Sequence, residues 1–288
     1  VEVVRAAPPL VGSGVERNCD GFEFTGHWWG AVGILPVSTG DDYDIGLYTD
    51  ATSSTTGFAT EGAFSSYGGS FCDFVMLNGN SVGSYATRWA GVVRYSGGTG
   101  NVLVQQSNEV FTANPDTTYN TSYLSSLQSI GANEVVKVFE FYLRSPRITY
   151  RFSLENASGT ADLDLGLYGE GSYFSKNAYL RSSQGLGTAD ESFTYKPPAA
   201  GYYALVVWKR DQGSVGLANT FRVRVGPALS NLDATLATSG FAHPLVPRNH
   251  PDASWGSPVA VTDTLEGNLA RTWLNFQVTQ EGPNSTPR

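Results

Sequence analysis

The heptapeptide Asp42-Tyr43-Asp44-Ile45-Gly46-Leu47-Tyr48 recurs as Asp162-Leu163-Asp164-Leu165-Gly166-Leu167-Tyr168. A repeat of this length indicates that one folding unit was duplicated. In both copies aspartate alternates with apolar residues, and this period of two is typical of a β-strand. We therefore predict one strand that occurs in each of two related units.

The match between the copies extends beyond the heptapeptide in both directions. The further matching pairs are Phe22-Glu23-Phe24 with Phe139-Glu140-Phe141, Ser65-Ser66-Tyr67-Gly68 with Ser182-Ser183-Gln184-Gly185, and Val92-Val93-Arg94-Tyr95 with Val206-Val207-Trp208-Lys209. The duplicated unit is therefore about as long as a small β domain.

Alternating polar and apolar residues dominate the readable segments, notably 137–143, 148–154 and 220–225. Each is predicted to be a half-buried antiparallel strand. Gly supplies 33 of the 288 residues and only 15% are charged, which suits short strands and many turns. The predicted fold is all-β: two tandem antiparallel β-sandwiches of jelly-roll or immunoglobulin-like type, followed by a tail that contains one strand.

The predicted domain boundaries follow from the repeat and from changes in composition. The first copy is placed at 1–112 and the second at 135–227. Segment 113–134 is rich in Thr, Ser and Asn, which predicts a linker, with one short helix within 123–130. Residues 228–288 begin as a proline-rich linker. They contain one strand-like run, 272–278, which either adds to an existing sheet or begins a third sandwich.

The charge and hydropathy of the chain narrow the classes of partner. A net charge of -8 without a cluster of Lys or Arg argues against nucleic-acid binding. No segment approaches the ~18–20 apolar residues of a membrane span. The chain begins at Val1, which fits either a removed signal peptide or an arbitrary starting point. We expect a secreted or cell-surface protein.

The two cysteines, Cys19 and Cys72, both lie in the first copy. In an oxidising compartment they are expected to form a disulfide, which would stabilise the first copy by about 2–4 kcal/mol. The alternative is two buried free thiols in a cytosolic protein.

The second copy resembles a bacterial pre-peptidase C-terminal domain, on the segments Tyr150-Arg151-Phe152-Ser153-Leu154, Ala161-Asp162-Leu163-Asp164-Leu165 and Ala200-Gly201-Tyr202-Tyr203-Ala204-Leu205-Val206-Val207. The first copy resembles the family more distantly, because Gly91-Val92-Val93-Arg94-Tyr95 replaces the Gly-Tyr-Tyr signature. The tail from Leu265 to Pro283 is similar to the opening of an adhesion-type (CARDB-like) β-sandwich module of bacterial surface proteins. These resemblances imply small secreted β-sandwiches.

The paired aspartates are the candidate metal ligands. Asp42 and Asp44 share one face of their strand, and so do Asp162 and Asp164. Two carboxylates ~7 Å apart on one face repel each other unless solvent or a cation separates them, and Ca²⁺ prefers such ligands. Calcium is therefore the candidate cofactor. The alternative is an outward strand face that accepts hydrogen bonds from adjacent turns.

The segment His27-Trp28-Trp29 is the candidate binding platform. Adjacent strand residues face opposite ways, so at least one indole ring is expected near the surface, where it would suit a sugar ring or a neighbouring protein. The alternative is a rim tryptophan that covers the end of the sandwich.

No catalytic arrangement is predicted. Gly79-Asn80-Ser81-Val82-Gly83 matches the G-x-S-x-G nucleophile pattern, but it follows Asn78 as an Asn-Gly turn in an all-β region. His243, His250 and Asp252 match no zinc-binding spacing.

The sequence thus predicts a non-enzymatic extracellular structural or adhesive protein. It would polymerise by strand addition through the tail residues Trp273, Leu274, Phe276 and Val278, with copies of itself, other extracellular proteins or polysaccharide as partners. The alternative function is the substrate-binding accessory region of a larger secreted hydrolase.

Overall fold

A computed structural model describes residues 2–6, 18–22, 28–48, 60–82, 88–97, 101–113, 115 and 123–228. The chain divides into two compact units, Val1–Gly226 and Pro227–Arg288. The account below concerns the first unit. His27, the histidines at 243 and 250, and the tail strand 272–278 lie outside the described residues.

The all-β prediction is confirmed, since strands dominate the described residues. In chain order they are β1 (Glu2–Ala6), β2 (Asn18–Phe22), β3 (Trp29–Pro36), β4 (Asp42–Tyr48), β5 (Thr60–Ser65), β6 (Asp73–Asn78), β7 (Arg88–Ser96), β8 (Asn101–Ala113), β9 (Tyr123–Leu124), β10 (Gln128–Ile130), β11 (Val136–Leu143), β12 (Tyr150–Ser158), β13 (Leu163–Tyr168), β14 (Tyr173–Ser175), β15 (Arg181–Ser183), β16 (Glu191–Tyr195), β17 (Gly201–Lys209) and β18 (Asn219–Pro227). A helical turn, α1 (Gly79–Val82), replaces the predicted Asn-Gly turn, and a 3-10 turn spans Gln212–Ser214.

Corresponding strands of the two copies occupy the same order in their sheets. The first copy has the four-stranded sheet β2-β7-β4-β5, and the second has β11-β17-β13-β15. The repeated heptapeptides form β4 and β13. β4 lies beside β7 and β13 lies beside β17, and these two neighbouring strands contain the matched segments 92–95 and 206–209. The duplication inferred from the heptapeptide is thus visible in strand order.

The two copies are joined through one nine-stranded sheet, in which β14-β6-β3-β8 continues into β11-β17-β13-β15. The connection is a parallel pairing of β8 with β11, where Glu109 lies opposite Val138. At the other end, β14 of the second copy pairs with β6 of the first, with Phe174 opposite Met76. The two copies therefore share one continuous sheet. The domain boundaries given by the sequence remain a prediction.

Among the described residues, three hydrophobic cores lie between the sheets. The first-sandwich core includes Val32, Ile45, Val75, Val92 and Val104, and the second-sandwich core includes Phe139, Phe152, Leu165, Leu205 and Val223. The third, here called the junction core, comprises Trp29, Ala31, Leu35, Cys72, Phe74, Met76, Leu103, Val135, Val136, Val138, Tyr168, Phe174, Ala204, Val206 and Trp208. Because both halves of the nine-stranded sheet contribute to it, that sheet folds back on itself around this core.

Strand burial corrects one prediction and supports another. β18 alternates between buried and partly exposed residues, as expected for a strand with one solvated face. β11 was also predicted to be half-buried, but six of its eight residues are buried. The reason is that Phe139 and Phe141 face the second-sandwich core while Val136 and Val138 face the junction core.

The predicted short helix within 123–130 is wrong. These residues form β9 and β10, and both pair with β18. Ser125 between them is held by its own hydrogen bonds to Val223, so the segment is fixed to the edge of the second sandwich. Among the described residues, no helix has the length and apolar composition required to cross a membrane.

Candidate functional site

The paired aspartates lie on or next to β4 and β13, and successive side chains of these strands point to opposite faces of the sheet. Leu163, Leu165 and Leu167 face the second-sandwich core, as the sequence predicted, and Tyr168 faces the junction core. Asp164 is only 1% exposed, because the first copy covers this side of β13. Asp42 and Asp44 are also buried, at 7% each. These three aspartates therefore do not lie on a solvated strand face, the alternative that the sequence left open.

A glycine in each heptapeptide leaves room for an aromatic ring beside the aspartates. A Cβ atom at Gly166 would lie 2.9 Å from the ring of Trp208, and one at Gly46 would lie 3.1 Å from the ring of Phe64. Any larger residue would displace these rings. The glycine therefore recurs for packing rather than for backbone conformation.

In the second copy an arginine offsets the aspartate charges. Arg210 Nε lies 4.0 Å from Asp162 Oδ2, and Arg210 Nη1 lies 3.5 Å from Asp164 Oδ1. Burial raises the pKa of Asp164 to about 7, and Arg210 acts against this rise. Burial also raises the pKa of Asp162. A guanidinium group thus stands beside both carboxylates, where the sequence had predicted a cation.

The first copy has a different electrostatic environment. Burial, and after it the neighbouring carboxylates Asp73 and Asp42, together raise the pKa of Asp44 to about 7. Ser96 pairs with Asp42 in the β4–β7 ladder. Arg210 has the corresponding position in the second copy, where its backbone N–H donates to the Asp162 carbonyl oxygen. In the first copy the charged groups that act on Asp44 are carboxylates and raise its pKa, whereas in the second copy Arg210 lowers the pKa of Asp164.

A second carboxylate feature, which the sequence analysis missed, is also duplicated. In the first copy Asp73 accepts hydrogen bonds from the Ser65 hydroxyl and, at 3.0 Å, from the Tyr67 N–H. In the second copy Glu191 accepts them from the Ser183 hydroxyl and, at 2.8 Å, from the Gly185 N–H. All three positions are separated by 118 residues. We call these the carboxylate clamps.

The clamps correct the sequence alignment by one residue. Ser65 had been matched with Ser182, but Ser65 pairs with Ile45 as Ser183 pairs with Leu165, so Ser183 is its counterpart. The constant spacing between serine and acid was the available signal. This signal is hard to recognise because the acid is aspartate in the first copy and glutamate in the second.

A buried lysine lies at the junction between the copies. Lys176 is 2% exposed, and its Nζ donates to the Cys72 carbonyl oxygen at 2.5 Å and stands 4.3 Å from the centre of the Tyr67 ring. Its charge lowers the pKa of both Asp73 and Asp164 against the larger effect of burial. No local pattern in the sequence marked this lysine, because its burial depends on the pairing of β14 with β6.

The predicted Cys19–Cys72 disulfide is not present. Cys72 is a free thiol, completely buried in the junction core, where burial raises its pKa. Cys19 lies on β2, in the four-stranded sheet on the other side of the first sandwich. Within the described part of the chain, no group of three or more His, Cys, Asp or Glu residues is arranged to hold a metal ion. Calcium binding by the aspartates remains a prediction.

The predicted binding platform has one exposed and one buried ring. Trp28 is 49% exposed, whereas Trp29 is 1% exposed and packs in the junction core against Phe174, with ring centres 5.7 Å apart. The opposite orientation of adjacent rings, which alternation predicted, is therefore observed. A binding role for the exposed ring remains a prediction.

No protein-family model matches the chain, and no curated protein matches it. Among solved structures, it is similar to the pre-peptidase C-terminal domain of a collagenase from Bacillus anthracis, at 22% identity over 41% of this chain and 93% of that chain, with a TM-score of 0.28. It is also similar to PliG, a periplasmic inhibitor of g-type lysozyme from Aeromonas hydrophila, at 12% identity over 41% of this chain and 96% of that chain, with a TM-score of 0.29. TM-scores this low carry no conclusion about function, and the β-sandwich fold rests on the strands and cores described above.

Proposed function

We propose that this protein is a non-catalytic extracellular structural or adhesive protein. The observation that carries the proposal is the nine-stranded sheet shared by both copies. Two sandwiches on a flexible linker would move independently, whereas a common sheet and a common core make one stiff block. Such a block suits a component that transmits load or holds a binding surface in a fixed position.

The partners and location proposed for the chain agree with its charge. At a net charge of -8 it would be repelled by nucleic acid, and its proposed partners are other copies of itself, other extracellular proteins or polysaccharide. The resemblance of the second copy to a domain family of secreted bacterial proteins supports a secreted or cell-surface location.

Assembly is proposed to depend on the tail. Removing residues 260–288 is expected to abolish filaments, because the strand-like run 272–278 would no longer add to the sheet of a neighbouring chain. Filaments of the full chain and of the shortened chain would be compared by electron microscopy, and their mass by sedimentation. Thermal unfolding should be the same in both, since the compact unit 1–226 is untouched.

A full-length substitution provides the control for length. Phe276→Asp places a charge on the same strand face as Leu274 and Val278, so it should abolish filaments as the deletion does. Asn275→Asp adds the same charge on the opposite face and should preserve them. If the full-length protein stays monomeric at high concentration, as the shortened protein does, this mode of assembly is excluded.

The half-exposed Trp28 favours a second candidate function, the accessory substrate-binding region of a larger secreted hydrolase. An exposed indole suits contact with a polymeric substrate. A catalytic domain encoded next to this segment in the parent gene would decide in favour of this alternative.

Calcium is proposed for the first copy only. The carboxylates Asp73 and Asp42 both raise the pKa of Asp44, whereas in the second copy Arg210 lies 3.5 Å from Asp164 and offsets its charge. We expect millimolar Ca²⁺ to raise the melting temperature of the protein, and expect Asp42→Asn/Asp44→Asn to remove this effect. Asp162→Asn/Asp164→Asn is the matched control and should keep it. Calorimetry that detects no effect of Ca²⁺ on the unmodified protein would exclude calcium as a cofactor.

A further inference from the structure

The two copies differ in charge. Residues 135–227 contain eleven basic and eight acidic residues, whereas residues 1–134 contain four basic and thirteen acidic residues. Four of these thirteen acids are buried in the described part of the chain, namely Asp41, Asp42, Asp44 and Asp73. The other nine still outnumber the four basic residues. The second copy is therefore basic within a chain whose net charge is -8.

Three arginines lie on one face of the second sandwich. On β18, Phe221 and Val223 face the second-sandwich core, so alternation turns Arg222 and Arg224 to the opposite face of the sheet. On β12 of the same sheet, Arg151 stands between two core residues and also points away from the core. We call the outer face of the sheet β10-β18-β12-β16 the basic face.

The basic face is open to solvent. Arg151 is exposed and makes no hydrogen bond or ion pair with any described residue. Arg224 Nε lies 2.5 Å from Glu155 Oε1, and these two side chains are 40% and 34% exposed. Arg222 donates to the Ser125 carbonyl oxygen at 2.9 Å, which leaves its charge without an acidic partner there. Glu155 thus offsets one of the three arginines, and the charges of the other two remain.

The basic face and the first copy lie on opposite sides of the second sandwich. The first copy packs against β11, β17 and β13 through the junction core. The basic face belongs to the other sheet, on the far side of the second-sandwich core. The described part of the first copy therefore does not cover or neutralise the basic face of its own chain.

The corresponding surface of the first copy is already an interface. The strand order β16-β12-β18 repeats the order β6-β3-β8 of the first copy, and the clamp residues Glu191 and Asp73 occupy corresponding strands. The outer face of β6-β3-β8 packs against the second copy through residues that include Ala31, Phe74 and Leu103. On the basic face arginines stand where the first copy has apolar residues. A contact made by this face would therefore depend on charge more than on apolar burial.

We propose that the basic face docks residues 1–134 of a second copy of this chain, in a head-to-tail contact held by ion pairs. Because the two surfaces lie on opposite sides of each molecule, every contact leaves one basic face and one first copy free, so the contact repeats along a row of molecules. The proposal deepens the self-assembly proposed above and rests on it for the identity of the partner. It involves different residues from the tail strand 272–278.

The charge of the whole chain favours a second copy over an anionic polymer. A polyanion that approaches the basic face is repelled at long range by a molecule of net charge -8. A second copy brings an acidic half together with a basic half, so it can orient its acidic half toward the basic face.

The test is sedimentation velocity of the full chain carrying Phe276→Asp, which is expected to remove assembly through the tail. We expect this protein to self-associate at about 0.01 M NaCl. Its dissociation constant should rise at least about tenfold at about 1 M NaCl, because the screening length falls from about 30 Å to about 3 Å. Arg151→Glu, added to this protein, should weaken the association at least about tenfold, whereas Arg151→Lys keeps the charge and should retain it.

Arg181→Glu is the matched control, because Arg181 is an exposed arginine on β15, in the other sheet of the second sandwich. It changes the net charge by the same amount as Arg151→Glu and should change the association little. Circular dichroism should confirm that every variant is folded. A protein that stays monomeric at low salt, or equal effects of Arg151→Glu and Arg181→Glu, would overturn the proposal.

Two further measurements separate this proposal from its rivals. Retention on dextran sulfate that depends on Arg151, without any effect of Arg151→Glu on self-association, would assign the basic face to an anionic polymer and overturn the proposal. Filaments of the Arg151→Glu chain with an unmodified tail would be counted at high salt. If they persist and Phe276→Asp abolishes them, assembly through the tail stands even where docking on the basic face fails.

Discussion

Replacing Trp208 with alanine is expected to reduce the free energy of unfolding of the compact unit 1–226 by about 3–5 kcal/mol. Trp208 is completely buried in the junction core, where its ring centre lies 5.4 Å from that of Phe74. The substitution would leave a cavity between the two copies that the rigid sheets on either side cannot close. Urea denaturation followed by circular dichroism would measure the loss.

Tyr202→Ala is the matched control for this experiment. Tyr202 lies on the same strand and the same face of β17 as Trp208, but it is 47% exposed. Its principal described contact is the ring of Tyr142, at 4.8 Å between ring centres, so its loss should cost about 1 kcal/mol. A Trp208→Ala variant no less stable than Tyr202→Ala would show that the junction core contributes little to folding.

The second large expected effect is on pH dependence. Acidification from about pH 8 to about pH 5 should stabilise the protein by about 2 kcal/mol or more. Burial raises the pKa of Asp44 and of Asp164 to about 7 and that of Asp73 to about 6. In the unfolded chain an aspartate has a pKa of about 3.9.

The sign follows from proton binding. Between about pH 4 and pH 7 the folded protein holds protons that the unfolded chain releases, so its stability falls as the pH rises through this range. Asp164→Asn removes one of the three groups and should flatten the dependence relative to the unmodified protein. Melting temperatures of both proteins across the range would test this. Stability that decreases on acidification, or equal slopes in the two proteins, would contradict the assignment of these carboxylates.

The sequence was sufficient for the features that depend on local alternation. The strand character of the heptapeptides, the inward direction of Leu163 and Leu165, and the opposite orientations of Trp28 and Trp29 all follow from a period of two. The all-β fold class follows from the same signal, repeated between turns.

The features that sequence reasoning missed depend on contacts between distant segments. Nothing local marks the parallel pairing of β8 with β11 or the insertion of β14 beside β6. The burial of Asp164 and Lys176 follows from those two pairings, so a strand that reads as amphipathic can be covered on both faces. The carboxylate clamps were the exception, because their constant spacing was present in the sequence and was misaligned by one residue.

The pairing of β14 with β6 has a consequence for how the molecule loses its structure. Sandwiches connected only by a linker melt independently, each with its own transition. Here the second copy contributes a strand to the sheet of the first, and β8 belongs to the sheets of both. Opening either copy therefore breaks hydrogen bonds that hold the other, which makes the two halves of the repeat a single cooperative folding unit.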